Sequence, residues 1–316
     1  MNLIFLGTPE FAIPPLEELL RTSWVKVLAV CTQIDKEAGR GKELKEPPVK
    51  KLALEKNLIL LQAEKISKDK DIIQKIKDLN PDILVTCAFG QILSEEVLNL
   101  APHGVINVHA SLLPKYRGAA PINWAILNGE IETGVTIMKT ELGLDSGPII
   151  LQEKCKIDEN ETSAELFRKL SLLGAKTLVF ALEEIKNKKA KFLPQDSSLI
   201  TKAPSLKKEL GLIDWNKTSK DIHNKIRGLQ PWPSAFTRFN GKIIKIWECR
   251  IAINRDSTNE SRKLLPGTIV EIFDSIKIKT KDGFLNISKL QPENKKIINV
   301  KDWVNGARIK VGDKFE

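Results

Sequence analysis

Asn107 and His109 stand two residues apart in the apolar run Val105-Ile106-Asn107-Val108-His109. Side chains alternate faces along a strand, so the two project to the same side. A neutral amide can stabilise a developing oxyanion without titrating, and an imidazole can take or give a proton near neutral pH. The pair suits nucleophilic addition to a carbonyl. A third group, Asp145, lies in the glycine-flanked stretch Leu142-Gly143-Leu144-Asp145-Ser146-Gly147-Pro148. Beside the imidazole, its carboxylate would orient the ring and favour the protonated form. Neither signal is specific by itself: a strand histidine is often simply satisfied in the core, and a turn aspartate often bonds its own backbone. The segment Ser111-Leu112-Leu113-Pro114 follows the strand directly. It could receive a flat heterocycle, or it could serve ordinary sheet-to-helix packing.

The elements that must position these groups are legible from hydropathy. Asn2 to Leu6 is a short apolar run that meets Gly7-Thr8-Pro9, an amphipathic pattern follows from Phe11 to Leu20, and Val25 to Thr32 is a second apolar run. Strand, helix and strand at this spacing make a βαβ unit. Further strands are expected at Leu58 to Leu61, Asp82 to Cys87 and Val105 to His109, with Ser67 capping a helix that runs to Leu79. The alternation predicts an α/β fold with an open, mostly parallel, Rossmann-like sheet. The first turn is not G-x-G-x-x-G, so a dinucleotide cofactor is not indicated. Gln33 to Lys50 is charged and aperiodic and is expected to be a mobile surface loop. Thr162-Ser163-Ala164-Glu165 has the spacing of a capping box and opens a helix to about Lys186.

After Leu210 the pattern changes to short apolar alternations punctuated by Asn240-Gly241, Pro266-Gly267 and Asp282-Gly283. These predict strands joined by tight turns, most simply a small OB-like β-barrel that leaves no open edge. The 316 residues therefore suggest a catalytic domain over 1–190, a linker over 191–206 and a barrel domain over 207–316. Charge divides with them. Residues 1–190 carry 25 Lys and Arg against 26 Asp and Glu, whereas residues 191–316 carry 25 against 14, a net of +11. Such asymmetry suggests a polyanion, most simply a nucleic acid, as partner of the second half. Lys242, Lys245, Lys295 and Lys296 are candidate phosphate contacts. Cys31, Cys87, Cys155 and Cys249 form no C-x-x-C pair, so neither a zinc site nor a disulfide framework is indicated and no metal is expected. No apolar run approaches the roughly 20 residues of a membrane span, and a cytoplasmic protein is expected.

Ordered along the chain are G-T-P-E-F-A from Gly7, A-G-R-G-K from Ala38, I-N-V-H-A-S-L-L-P-K-Y-R-G-A-A-P-I-N-W-A-I from Ile106, E-T-G-V-T-I-M from Glu132, G-L-D-S-G from Gly143, I-R-G-L-Q-P-W-P-S-A from Ile226 and L-Q-P-E-N-K-K from Leu290. Together these motifs resemble the methionyl-tRNA formyltransferase family over essentially the whole length. The resemblance implies a formyltransferase fold, 10-formyltetrahydrofolate as donor and the α-amino group of methionyl-initiator tRNA as acceptor; a monomer is expected. It implies a catalytic group of Asn107, His109 and Asp145, folate contacts from Ser111 to Pro114, and tRNA contacts from Arg40 and Lys42. Two positions depart from the family pattern. Phe89 stands where tyrosine is frequent, and Asn294 stands where a glycine is usual, which puts a left-handed turn there in doubt. A small-amine formyltransferase, a formyl-folate hydrolase and a non-enzymatic RNA-binding protein are the competing readings. The +11 second half argues against the first two, and the intact Asn107, His109 and Asp145 argue against the third.

Overall fold

The structure, a computed structural model, describes residues 1–38, 43–252 and 264–316. The chain divides into two compact units, one of Met1–Pro121, Glu132–Lys156 and Phe167–Pro204, the other of Ile122–Ile131, Ile157–Leu166 and Ser205–Glu316. Much of the stretch expected as a linker, up to Pro204, falls within the first unit.

In chain order, β1 (Asn2–Gly7), β2 (Lys26–Gln33), β3 (Lys36–Ala38), β4 (Glu43–Lys45), β5 (Leu60–Ala63), β6 (Ile83–Cys87), β7 (Val105–His109), β8 (Glu132–Lys139) and β9 (Ile149–Lys156) precede the second half. Between and after them lie α1 (Ile13–Arg21), α2 (Pro48–Glu55), α3 (Lys70–Asp78), α4 (Glu95–Leu98), α5 (Pro121–Leu127) and α6 (Ser163–Lys186). The main sheet has the order β5-β2-β1-β6-β7-β8-β9. Its first five strands are parallel, and β8 and β9 are antiparallel. Covered on both faces, β1 and β6 are buried over Leu3–Leu6 and Ile83–Cys87, which is why they read as unbroken apolar runs rather than alternations. Successive strands leave β1 first towards β2 and then towards β6, and sites in such sheets form outside the carboxyl ends of strands beside that reversal.

Two local expectations change. The Gln33–Lys50 stretch carries a ribbon of β3 and β4, paired through Lys36 with Lys45 and Glu37 with Leu44. Lys50 Nζ ties its base to Asp35 at 2.6 Å, and this ion pair and hydrogen bond lower the Asp35 carboxyl from its ordinary range. Asp69, not Ser67, caps α3, its side chain accepting from Ile72 N at 3.0 Å. Ser67 instead donates to Ile92 O and accepts from Ser94 N, a long-range pairing that no local pattern encodes. The capping box before α6 forms as expected, with Thr162 N donating to Glu165 and Glu165 N donating to Thr162 Oγ1.

The second unit contains α7 (Ser219–Gly228), β10 (Ala235–Phe239), β11 (Lys242–Ile251), β12 (Ile269–Ile272), β13 (Ile276–Lys279), β14 (Phe284–Pro292), β15 (Ile298–Asn299) and α8 (Val300–Ala307). Its antiparallel sheet has the order β10-β11-β14-β13-β12, with β15 on β14. Asn240 and Gly241 join β10 to β11 with φ of 49° and 74°, the two-residue turn that Asn-Gly favours. The terminal residues bridge the two outer strands: Ile269 N donates to Asp313 O, Phe315 N to Gly267 O, and Arg238 and Glu316 exchange both backbone bonds. That bridge closes the edges an open sheet would expose. Trp215, Trp303 and Phe315 pack in the core, so these tryptophans are structural, whereas Trp232 is exposed. Asn294 adopts φ of 59°, so asparagine does make the left-handed turn. Cys31, Cys87 and Cys249 are buried, and burial pushes the Cys31 and Cys249 thiols up to about 12, which leaves them inert. No described helix is long and apolar enough to cross a membrane.

His223, on α7, lines a cavity of about 310 Å³ with Arg227, Trp247 and Arg250. Burial, with Arg227 and Arg250 adding to it, lowers the imidazole to about 4, and Nε2 bonds Asn160 Oδ1 at 3.1 Å. In the unfolded chain the ring titrates near 6.5. As pH falls from about 6.5 towards 4, the unfolded state therefore takes up a proton that the folded state refuses, and stability declines through that window. His223→Gln is expected to flatten this part of a curve of urea midpoint against pH. An equally steep decline in the variant would remove His223 as its source.

Candidate active site

β7 delivers Asn107 and His109 to the carboxyl edge of the sheet. Asn107 is the one half-exposed residue of the strand, and His109 is buried. The opposite face of β7 is sealed by α6, where a Cβ on Gly174 would stand 2.9 Å from Val108 Cγ1. Thr86, paired in register with Asn107 on β6, donates to Asn107 Oδ1 at 2.9 Å and also reaches Ile106 O at 3.1 Å. Occupying the amide oxygen leaves the two Nδ2 protons to face a ligand.

The His109 tautomer follows from its partner. Nε2 lies 3.0 Å from Tyr116 O, and a carbonyl only accepts, so Nε2 carries a proton. Nδ1 is then the atom that takes up or releases one. It faces Asp145 Oδ2 at 3.7 Å, with the two side chains 6% and 15% exposed, so the pair is shielded from solvent screening. Asp145 Oδ2 also accepts from Gly118 N at 2.8 Å. Gly118 has φ of 127°, and a Cβ there would stand 2.6 Å from Ala203 O, so only glycine brings this N–H to the carboxylate. Tyr116 and Asp145 are themselves left-handed, at φ of 63° and 48°; non-glycine residues in that region cost about 1 kcal/mol or more each and concentrate at functional sites.

The four residues expected against the folate divide into two kinds. Ser111 is fully buried and commits its hydroxyl to Lys115 O at 2.7 Å, and Leu113 is buried. Leu112 and Pro114 remain half-buried. Thr136 on β8 pins the segment, donating to Ser111 O at 2.6 Å and accepting from Leu113 N at 3.1 Å, while Gln152 on β9 donates to Leu113 O at 2.8 Å. Leu142 and Leu144 flank Asp145 with 65% and 69% of their surface exposed, an apolar surface left open to a ligand. A cavity of about 430 Å³ adjoins the start of this loop, lined by Lys139, Thr140, Glu141 and Leu142 among others.

The pattern of the Formyl transferase family matches residues 1–182, and that of the Formyl transferase C-terminal domain matches residues 205–308. A methionyl-tRNA formyltransferase of Ruminiclostridium cellulolyticum is 44% identical over 316 residues, covering 100% of this chain and 99% of its own. This chain belongs to the methionyl-tRNA formyltransferase family. Solved structures show the same fold at lower identity. WlaRD, a sugar 3N-formyl transferase, superposes with a TM-score of 0.66 at 23% identity, over 94% of this chain and 99% of its own. HypX from Aquifex aeolicus does so with a TM-score of 0.64 at 15% identity over 96% of this chain, which spans 48% of HypX.

Of the residues that family membership suggests for tRNA, Arg40 and Lys42 lie outside the described residues. Lys242 and Lys245 open β11, where Ile244 and Lys245 pair with Pro292 and Gln291 at the end of β14. Lys295 and Lys296 lie in the turn that follows, so all four lysines gather at one end of the β11–β14 ladder, Lys245 half-buried and the others exposed. Among the described residues no three His, Cys, Asp or Glu side chains group as metal ligands. Sequence reasoning missed Thr86 and Thr136. Each is a buried hydroxyl inside an apolar strand, a local inconsistency that marks support for a site.

Proposed function

We propose that this formyltransferase moves the formyl group of 10-formyltetrahydrofolate to the α-amino group of methionyl-initiator tRNA, acting in the cytoplasm as a monomer and without a metal. The carrying observation is the convergence of the Asn107 amide, the His109 ring and the Asp145 carboxylate at the carboxyl end of β7. The attacking amine forms a bond to the formyl carbon, and the carbonyl oxygen gains charge where Asn107 Nδ2 can donate to it. His109 Nδ1 takes the proton the amine sheds, with Asp145 balancing the imidazolium. The same proton passes to the folate nitrogen as the old carbon–nitrogen bond breaks. An α-amino group titrates near 8, so modest base assistance suffices. Half-buried Leu112 and Pro114, with exposed Leu142 and Leu144, offer apolar surface to a flat heterocycle.

Labelled formyl should pass from the folate to charged initiator tRNA and not to free methionine. Transfer to a nucleotide-linked amino sugar instead, with charged tRNA inert, would replace this reading. The lysines at the end of the β11–β14 ladder are assigned to tRNA phosphates. Replacing Lys242, Lys245, Lys295 and Lys296 by Gln in the full chain is expected to weaken tRNA binding. It should also lower the slope of log affinity against log salt by about 0.7–0.9 for each phosphate no longer neutralised. An unchanged slope would detach these lysines from the RNA.

A further inference from the structure

We propose that Gln195 is a positioning residue for Asp145, a role that rests on Asp145 serving the reaction as proposed above. Gln195 Nε2 donates to Asp145 O at 2.9 Å and to Gly147 O at 2.8 Å, so its two amide protons bind two carbonyls of the loop that carries the carboxylate. Its Oε1 accepts from Arg117 Nε at 3.0 Å and from Arg117 Nη2 at 2.7 Å. A guanidinium only donates and a carbonyl only accepts, so the amide has one orientation that satisfies all four bonds.

Arg117 lies between the two groups that fix the catalytic pair. Tyr116 supplies the carbonyl that holds His109 Nε2, and Gly118 supplies the N–H that holds Asp145 Oδ2. One side chain thus couples the backbone under His109 to the backbone under Asp145. The segment bearing Gln195 is itself anchored. Leu193 and Ile149 exchange backbone bonds at 2.8 Å, Tyr116 N donates to Thr201 Oγ1, Arg117 N donates to Thr201 O, and Ala203 N donates to Arg117 O. Within residues 191–199, which are otherwise exposed, Gln195 is half-buried, as a side chain turned inward must be. The loop it holds needs holding: Asp145 is left-handed, and Gly147 lies so close to Lys139 O that a Cβ there would collide with it. Asp145 faces His109 at 3.7 Å, so a small drift of this loop removes the carboxylate from the ring.

Gln195→Glu separates the two halves of the clamp, because a carboxylate still accepts from Arg117 but has no protons for the carbonyls of Asp145 and Gly147. In the full-length protein we expect kcat to fall about 10- to 100-fold with KM for the folate and for tRNA within about twofold. Gln195→Asn, one methylene shorter, is expected to lose as much. The deciding measurement is a double-mutant cycle with Asp145→Asn. If both act through one carboxylate, Gln195→Glu adds little to the loss already caused by Asp145→Asn. Multiplying losses, or an unchanged kcat in Gln195→Glu beside an inactive Asp145→Asn, would overturn the clamp alone. Full turnover in Asp145→Asn would overturn the role of Asp145 and the clamp with it.

Discussion

Asn107→Ala is expected to bind both substrates with near-normal affinity and to turn over about 100- to 1,000-fold more slowly, the usual effect of losing one oxyanion donor. The reason lies in what Asn107 does in each state. Thr86 occupies its Oδ1, so its Nδ2 protons are the groups offered to a ligand, and in the proposed mechanism the formyl oxygen accepts from them most strongly as it becomes an oxyanion. A group that acts mainly in the transition state lowers kcat on removal rather than raising KM. Asn107→Asp is the sharper variant. It is isosteric and keeps the acceptor for Thr86, yet it replaces the donor by a negative charge aimed at a developing negative charge. Single-turnover transfer with saturating folate and charged tRNA reads the chemical step directly. Turnover within about threefold of the parent chain in Asn107→Ala would take Asn107 out of the mechanism.

Asp145→Asn is expected to be at least as damaging, roughly 1,000-fold in kcat, somewhat less than the roughly 10⁴-fold lost in hydrolases built on a carboxylate–imidazole pair. Oδ2 is the atom that both accepts from Gly118 N and faces His109 Nδ1, so the substituted amide would keep its oxygen at that position and lose only the charge. Tyr116 O fixes the proton on Nε2, so the amine proton must go to Nδ1, and the imidazolium formed there would face a neutral amide in place of a carboxylate. The charge that stabilises the imidazolium is gone. KM for both substrates should change little, since the carboxylate is only 15% exposed and already bonded within the protein. A fall in affinity with kcat preserved would show that Asp145 holds substrate rather than serving proton transfer.

Much of this architecture was legible in the residue order, for reasons that are local. Buried parallel strands announce themselves as short apolar runs, and Leu3–Leu6 and Ile83–Cys87 prove buried throughout. Asn240-Gly241 makes its turn because both positions need positive φ, and Thr162 and Glu165 satisfy each other because they lie three residues apart. Where the reading failed, a distant partner competed. Ser67 has the right chemistry for a cap, but Ile92 and Ser94 claim its hydroxyl and Asp69 takes over the helix start. The charged stretch after Gln33 lacks periodicity, yet β3 and β4 within it pair as a ribbon tied at its base by Lys50.

The candidate site divides along the same line. A strand's alternation by itself determined that Asn107 and His109 share a face, since a period of two is a property of the backbone alone. The uneven distribution of net charge was equally fixed by the order of residues. Only the tertiary structure decided that Asp145 faces His109, that Thr86 takes the Asn107 oxygen, and that Gln195, 50 residues beyond Asp145, bonds the carbonyl of that loop. Such pairings join segments whose separation along the chain bears no relation to their distance in space. Short-range propensity and periodicity say which face a side chain occupies; what it meets there is set by how strands order in the sheet and how loops close over their ends.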